Sequence, residues 1–151
     1  MKLQATATEI NLNRPTYQMK YYSDWRIDST DTDFDIDNYF TFDTPSGNGT
    51  LSFFVFNVAI NEQENLDAQI KVHLEKVIKN GTVTKFDTWG KYKGHGAKIT
   101  GKILGTFKGE VKIFVHSDDK YSFLIAYQIY DSDKQKDLPG LKLIESTFKT
   151  K

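Results

Sequence analysis

The sequence predicts an α+β chain: an antiparallel sheet of about six strands with helices covering both faces, an α/β/α sandwich. Three observations predict it. Two segments, Leu51 to Ile60 and Tyr121 to Tyr130, carry apolar residues at odd and even positions alike, so each needs a layer above and a layer below. Asn61 to Gly81 holds one capped helical stripe, and the C-terminal end holds a second. Strands and helices do not alternate as βαβ units, which argues against a doubly wound parallel sheet.

The elements follow in order. Residues 1–16 are polar and aperiodic and read as a flexible N-terminal tail, leaving 17–151 as a single domain. Tyr17 to Tyr22 is a short aromatic strand, broken at Ser23-Asp24 and resumed at Trp25 to Ile27. Phe34, Ile36, Phe40 and Phe42 recur at even spacing with Asp33, Asp35, Asp37, Thr41 and Asp43 between, the period of a strand with one wet face. Pro45 to Gly49 is turn chemistry, and Thr50 to Ile60 is the return strand. Asn61 is the N-cap of a helix, with Glu64 three residues on. Leu66, Ile70, Leu74, Val77 and Ile78 form its stripe, and Gly81 its C-terminal stop. Phe54, Phe56, Val58, Leu66, Ile70 and Leu74 are therefore expected in the core.

Val83 to Trp89 is the next strand, and Gly90 to Gly96 a turn-rich connection. From Ala97 onward, Ala97, Ile99, Ile103 and Phe107 alternate with Lys98, Thr100, Lys102, Thr106 and Lys108. That strand turns Phe107 to the core and its lysines outward. Val111 to His116 and Tyr121 to Tyr130 form a hairpin. Leu138, Leu141, Ile144 and Phe148 mark the last helix, in which Pro139 fits the first turn alone.

Composition excludes several functions. The 151 residues hold 20 basic and 20 acidic side chains, so no overall field draws in nucleic acid. With no Cys there is no thiol nucleophile and no thiolate metal site. No apolar run reaches the roughly 18 residues of a membrane helix. No apolar h-region precedes Pro15, which leaves a cytoplasmic protein or an extracytoplasmic one whose signal was removed upstream. Asp31, Asp33 and Asp35 match the start of a calcium loop. The loop's Gly position holds Ile36 and its Glu position Phe42, so no tight Ca²⁺ site is expected. His73, His95 and His116 lack metal spacing, and no Gly-x-Ser-x-Gly elbow occurs. Gly94-His95-Gly96 precedes a β pattern rather than a helix, so it is a turn and not a phosphate loop. No catalytic residue, metal or cofactor is expected.

Charge is nonetheless unevenly placed. Asp28 to Asp43 holds no Lys or Arg, whereas Lys85 to Lys112 is basic, opposed by Asp87 and Glu110 alone. Lys91, Lys93, His95, Lys98, Lys102 and Lys108 are the candidate partner surface, and an acidic protein is the partner it fits.

The order of motifs resembles the PsbP and DcrB-like family over Tyr17 to Phe148. The carriers are Tyr22-Ser23-Asp24-Trp25, Phe40-Thr41-Phe42-Asp43-Thr44-Pro45, the capped helix near Glu62, Gly94-His95-Gly96, and Leu143-Ile144-Glu145-Ser146-Thr147-Phe148-Lys149. Ser23-Asp24 stands where many members have Gly before Trp, and the lipobox Cys of the lipoprotein members is absent. The resemblance implies a PsbP-like α/β/α sandwich and a non-catalytic protein-binding or assembly module. The alternative is a small carrier holding an apolar ligand between sheet and helix.

Overall fold

The computed structural model describes residues 7–151. Its strands are β1 (Glu9–Asn13), β2 (Tyr17–Tyr22), β3 (Arg26–Ile27), β4 (Tyr39–Asp43), β5 (Thr50–Phe56), β6 (Thr82–Trp89), β7 (Tyr92–Lys102), β8 (Lys108–Ser117), β9 (Ser122–Tyr130) and β10 (Lys149–Thr150). Its helices are α1 (Glu62–Lys76) and α2 (Lys134–Thr147). Seven strands make the main antiparallel sheet in the order β3-β4-β5-β9-β8-β7-β6. A small sheet, β1-β2-β10, joins α2 on one face, and α1 covers the other.

The two covering layers are offset. Following register across the sheet, one row on the α2 face reads Phe86, Gly96, Phe114, Ile125, Phe53, Phe40. The next row reads Thr84, Lys98, Lys112, Tyr127, Leu51, Phe42. The second row is apolar under α2 and cationic beyond it. On the opposite face, α1 packs over Ala97, Ile99, Val111, Ile113 and Val115 of β7 and β8. The β4–β5 half of that face carries Thr41 and Ser52, whose hydroxyls bond at 2.9 Å. Strand alternation dictates which side chains share a face, and the helices decide which of them are dry.

That offset corrects the expected core. Leu66 is buried, but Phe54, Phe56, Ile70 and Leu74 are half-buried, and Val58 is 57% exposed. β5 ends at Phe56 rather than Ile60. The dense core lies on the other face, where Tyr17, Phe40, Phe42, Phe53, Phe114, Phe123 and Phe148 are each at most 1–2% exposed.

Other boundaries moved for identifiable reasons. Residues 1–6 of the expected tail lie outside the described residues, but Glu9–Asn13 is a strand paired along its length with β2. Just beyond it, the Arg14 guanidinium holds both carboxylate oxygens of Asp37, at 2.6 and 3.1 Å. Asp33 to Asp37 is a loop, not a strand. Asp31 Oδ1 accepts from Asp33 N, and Asp35 Oδ1 from Asp37 N, so alternating Asp here builds successive Asx turns. Asn61 Oδ1 caps α1 by accepting from Glu64 N at 2.9 Å. The helix stops at Lys76, and Asn80 (φ 59°), not Gly81, takes the left-handed position. Gly94 to Gly96 is strand. A Cβ on Gly96 would sit 2.3 Å from the Phe86 ring, and one on Gly94 2.2 Å from the Val115 carbonyl oxygen. These glycines mark where neighbours press on a backbone rather than where it turns.

Pro139 is the sixth residue of α2, not in its first turn, and the helix forgoes one backbone bond there. Next to it, Gly140 is pressed against Trp25: an added Cβ would lie 2.0 Å from the indole Nε1. Alanine is the better helix former by about 1 kcal/mol. Gly140→Ala should nevertheless lower stability by about 1–3 kcal/mol, because Trp25 is itself buried and cannot retreat without overpacking its neighbours. A thermal melt at or above the parent's would contradict the close approach.

Candidate partner interface

The sheet divides the six expected surface residues. Lys98, Lys102 and Lys108 share the α2 face, because Lys102 is the register partner of Lys108 and Lys98 that of Lys112. His95 lies on the opposite face, that of Ala97 and Ile99, and its Nδ1 meets Glu62 Oε1 at 2.8 Å. Lys91 sits in the two-residue turn between β6 and β7, its ammonium 5.5 Å above the Tyr92 ring. Lys93 is exposed beyond the β-bulge, with its carbonyl oxygen 2.7 Å from His116 Nδ1. The patch read from sequence is therefore two patches on two faces.

The residues that complete the α2-face patch come from elsewhere in the chain. Lys112 faces Lys98 across the β7–β8 pair and lies 4.8 Å from the Phe86 ring. Lys142 of α2 and Lys112 flank a 140 Å³ cleft between helix and sheet, floored by Leu51, Trp89 and Tyr127. Along the adjoining row, Glu110 is 5% exposed. It takes Lys134 Nζ at 2.7 Å and accepts from the Tyr127 hydroxyl at 3.1 Å. The bond to Glu110 holds the Lys134 ammonium above its usual pKa. Burial, reinforced by the Glu110 charge, pushes the Tyr127 phenol up as well. Glu110 is thus matched by Lys134, while Lys98, Lys102, Lys108 and Lys112 have no ion-pair partner among the described residues. Lys112 was legible in the basic run, but its place opposite Lys98 needs the hairpin register. Lys142 belongs to a helix whose face was not fixed by pattern alone.

The acidic pole is built differently. Asp28 Oδ1 accepts from both the Thr30 N–H and hydroxyl, which holds its carboxyl below the usual range. Asp35 Oδ2 accepts from Asn38 Nδ2, and the Arg14 bonds lower the Asp37 pKa. These carboxylates order their own loop. No described helix is long and apolar enough to cross a membrane.

No protein-family model and no curated protein sequence matches the chain. Solved structures do. LpqN of Mycobacterium tuberculosis, described as involved in cell envelope biogenesis, superposes with a TM-score of 0.55 at 12% identity, over 97% of this chain and 92% of that one. Cyanobacterial PsbP (CyanoP) from Synechocystis sp. PCC 6803 gives 0.56 at 8% identity, over 97% and 95%. A protein of Bacteroides thetaiotaomicron VPI-5482 gives 0.51 at 14%, over 89% of this chain, which spans 45% of that longer one. At such identities the likeness is one of fold, and the fold of this chain is the PsbP-like α/β/α sandwich.

Proposed function

We propose that the chain is a non-catalytic binding or assembly module that meets an acidic protein on the cationic half of the α2 face. The observation that carries this reading is the row Thr84, Lys98, Lys112, which continues a buried apolar row beyond the edge of its covering helix. Lysines that form no ion pair among the described residues, held on a sheet, make a fixed field that steers an anionic surface into register. The involvement of LpqN, which shares the fold, in cell envelope biogenesis suits an assembly role. The carrier reading calls for an enclosed apolar cavity of roughly 300 Å³ or more. Between sheet and α2 there is 140 Å³, with Lys112, Lys142 and Glu145 in its walls. The larger clefts, of 460 and 510 Å³, run open along α1 and β6.

The test begins with a photo-crosslinker at Lys98 to capture the partner, which is then purified for stopped-flow association. Lys98→Glu with Lys112→Glu should slow association about tenfold at low salt and flatten its salt dependence, because rim charges act on encounter. Association as fast as the parent's, with the same salt slope, would remove this face.

A further inference from the structure

The β7–β8 hairpin ends in an apex that the core does not use. Leu104 is 63% exposed and Phe107 75% exposed, the most exposed large apolar side chains among the described residues. Strand alternation predicts Phe107 inward. Instead β7 ends at Lys102, Ile103 turns into the core, and Leu104 enters the left-handed region at φ 51°, ψ 31°. A residue with a Cβ occupies that region only where its surroundings hold it there. Here they do. Leu104 N–H donates to the Val77 carbonyl at 2.7 Å, and Ile103 N–H to that of Phe107 at 2.9 Å. The Thr106 N–H and hydroxyl both donate to the Ile103 carbonyl, at 2.9 and 2.6 Å. A braced pedestal therefore presents two apolar side chains to water.

Cations surround this pedestal. Lys102 and Lys108 face each other across its base. Lys79 lies in the 77–81 turn that receives the Leu104 N–H. None of the three is ion-paired among the described residues, whereas the nearby acids Glu110 and Asp131 both hold Lys134. An apolar apex with a cationic collar matches the layering of an anionic bilayer surface, negative headgroups over an apolar boundary. The apex is the five-residue hairpin turn 103–107, and two apolar side chains are all it offers. A protein would have to supply a pocket of matching shape lined by acids, whereas a fluid bilayer needs no shape match.

We propose that the Lys102–Lys108 hairpin is a peripheral docking tip for anionic phospholipid. Leu104 and Phe107 enter the headgroup–acyl boundary, and Lys79, Lys102 and Lys108 meet the lipid anions. Two apolar side chains and three cations make a weak, reversible anchor that depends on lipid charge.

Phe107→Trp in the full chain tests it directly. Trp25 and Trp89 are each 3% exposed, so a vesicle-induced change in emission comes from the new indole. Phosphatidylcholine vesicles containing about one-third phosphatidylserine should blue-shift it, brominated acyl chains should quench it, and phosphatidylcholine alone should do neither. In co-sedimentation, Leu104→Ser with Phe107→Ser, and separately Lys102→Gln with Lys108→Gln, should each weaken binding about tenfold or more. Circular dichroism confirms that these exposed substitutions leave the fold intact. Unchanged indole emission at saturating anionic vesicles overturns the proposal and redirects the apex to a protein pocket. A double-serine variant that binds as well as the parent overturns it too. The vesicles carry no protein, so failure here leaves the acidic-partner reading standing.

Discussion

Phe53→Ala is expected to cost about 3–5 kcal/mol, among the largest losses available to any single truncation in this chain. Phe53 is fully buried in β5, between β4 and β9. Its ring stacks on Phe40 at 5.2 Å and on Phe148 at 5.3 Å, and meets Phe42 and Trp89 edge-on at 6.3 Å. Those partners come from the sheet, the β6 terminus and the residue that ends α2, so the cavity left by alanine has walls that cannot close together. Each aromatic pair adds about 0.5–1.5 kcal/mol beyond area burial, which pushes the loss toward the upper end. The neighbouring Phe54 provides the control. It is half-buried on the face that α1 leaves open, its ring tilted against Tyr39 at 4.6 Å. Phe54→Ala should cost about 1–2 kcal/mol, the transfer share of a partly buried ring. Urea unfolding of both variants with an unchanged m-value measures the difference. Equal losses would mean that the two faces of β5 are equally covered, and the offset arrangement would be wrong.

That contrast shows where the sequence was legible and where it was not. Residues 51–56, Ser52 apart, are apolar at odd and even positions alike, and pattern alone assigns them two covered faces. Whether a covering helix lies above Phe54 or one strand pair away depends on crossover geometry, which no local pattern carries. The same limit split the lysines. Lys98 and Lys102 alternate correctly with Ala97 and Ile99, so their face was readable. Proximity in the chain groups His95 with them, yet odd numbering places it with Ala97, facing Glu62. The Asp31 to Asp37 run misled for another reason. A carboxylate every second residue satisfies the period of a strand and the spacing of Asx turns equally well, and the backbone N–H groups chose the turns. Leu104 was hidden because no propensity puts leucine in the left-handed region; the bond to Val77 that holds it there is a tertiary one. The capped start of α1, the β8–β9 hairpin and the C-terminal helix were all readable, since each is specified by contacts close in sequence.

Asp137→Ala should be nearly as costly, at about 3 kcal/mol, although it removes few atoms. Asp137 is fully buried in the first turn of α2 and reaches across to the turn between β4 and β5. Its Oδ2 accepts from the Thr44 hydroxyl at 2.9 Å and the Ser46 hydroxyl at 2.7 Å, and its Oδ1 from the Ser46 N–H at 3.1 Å. A buried carboxylate is tolerated because three donors and the helix N-terminus replace its water. Hydrogen bonds to a charged group contribute about 1.5–3 kcal/mol each, and a buried donor left unpaired costs about 1–3 kcal/mol. Thr44, at 4% exposure, has no water to turn to when its acceptor is gone; the Ser46 hydroxyl, 3.0 Å away, can accept from it but loses the same acceptor, which leaves the pair one acceptor short. Asp137→Asn keeps one acceptor oxygen and the side-chain volume, and the two hydroxyls can reverse to accept from the amide, so its loss should be about half as large. Thr44→Val removes the other side of the contact. In a double-mutant cycle with Asp137→Ala the two losses should overlap by more than about 1 kcal/mol, the mark of residues in one network. Strictly additive losses, or an alanine variant within about 1 kcal/mol of the parent, would show that this bridge does not hold α2 to the β4–β5 hairpin.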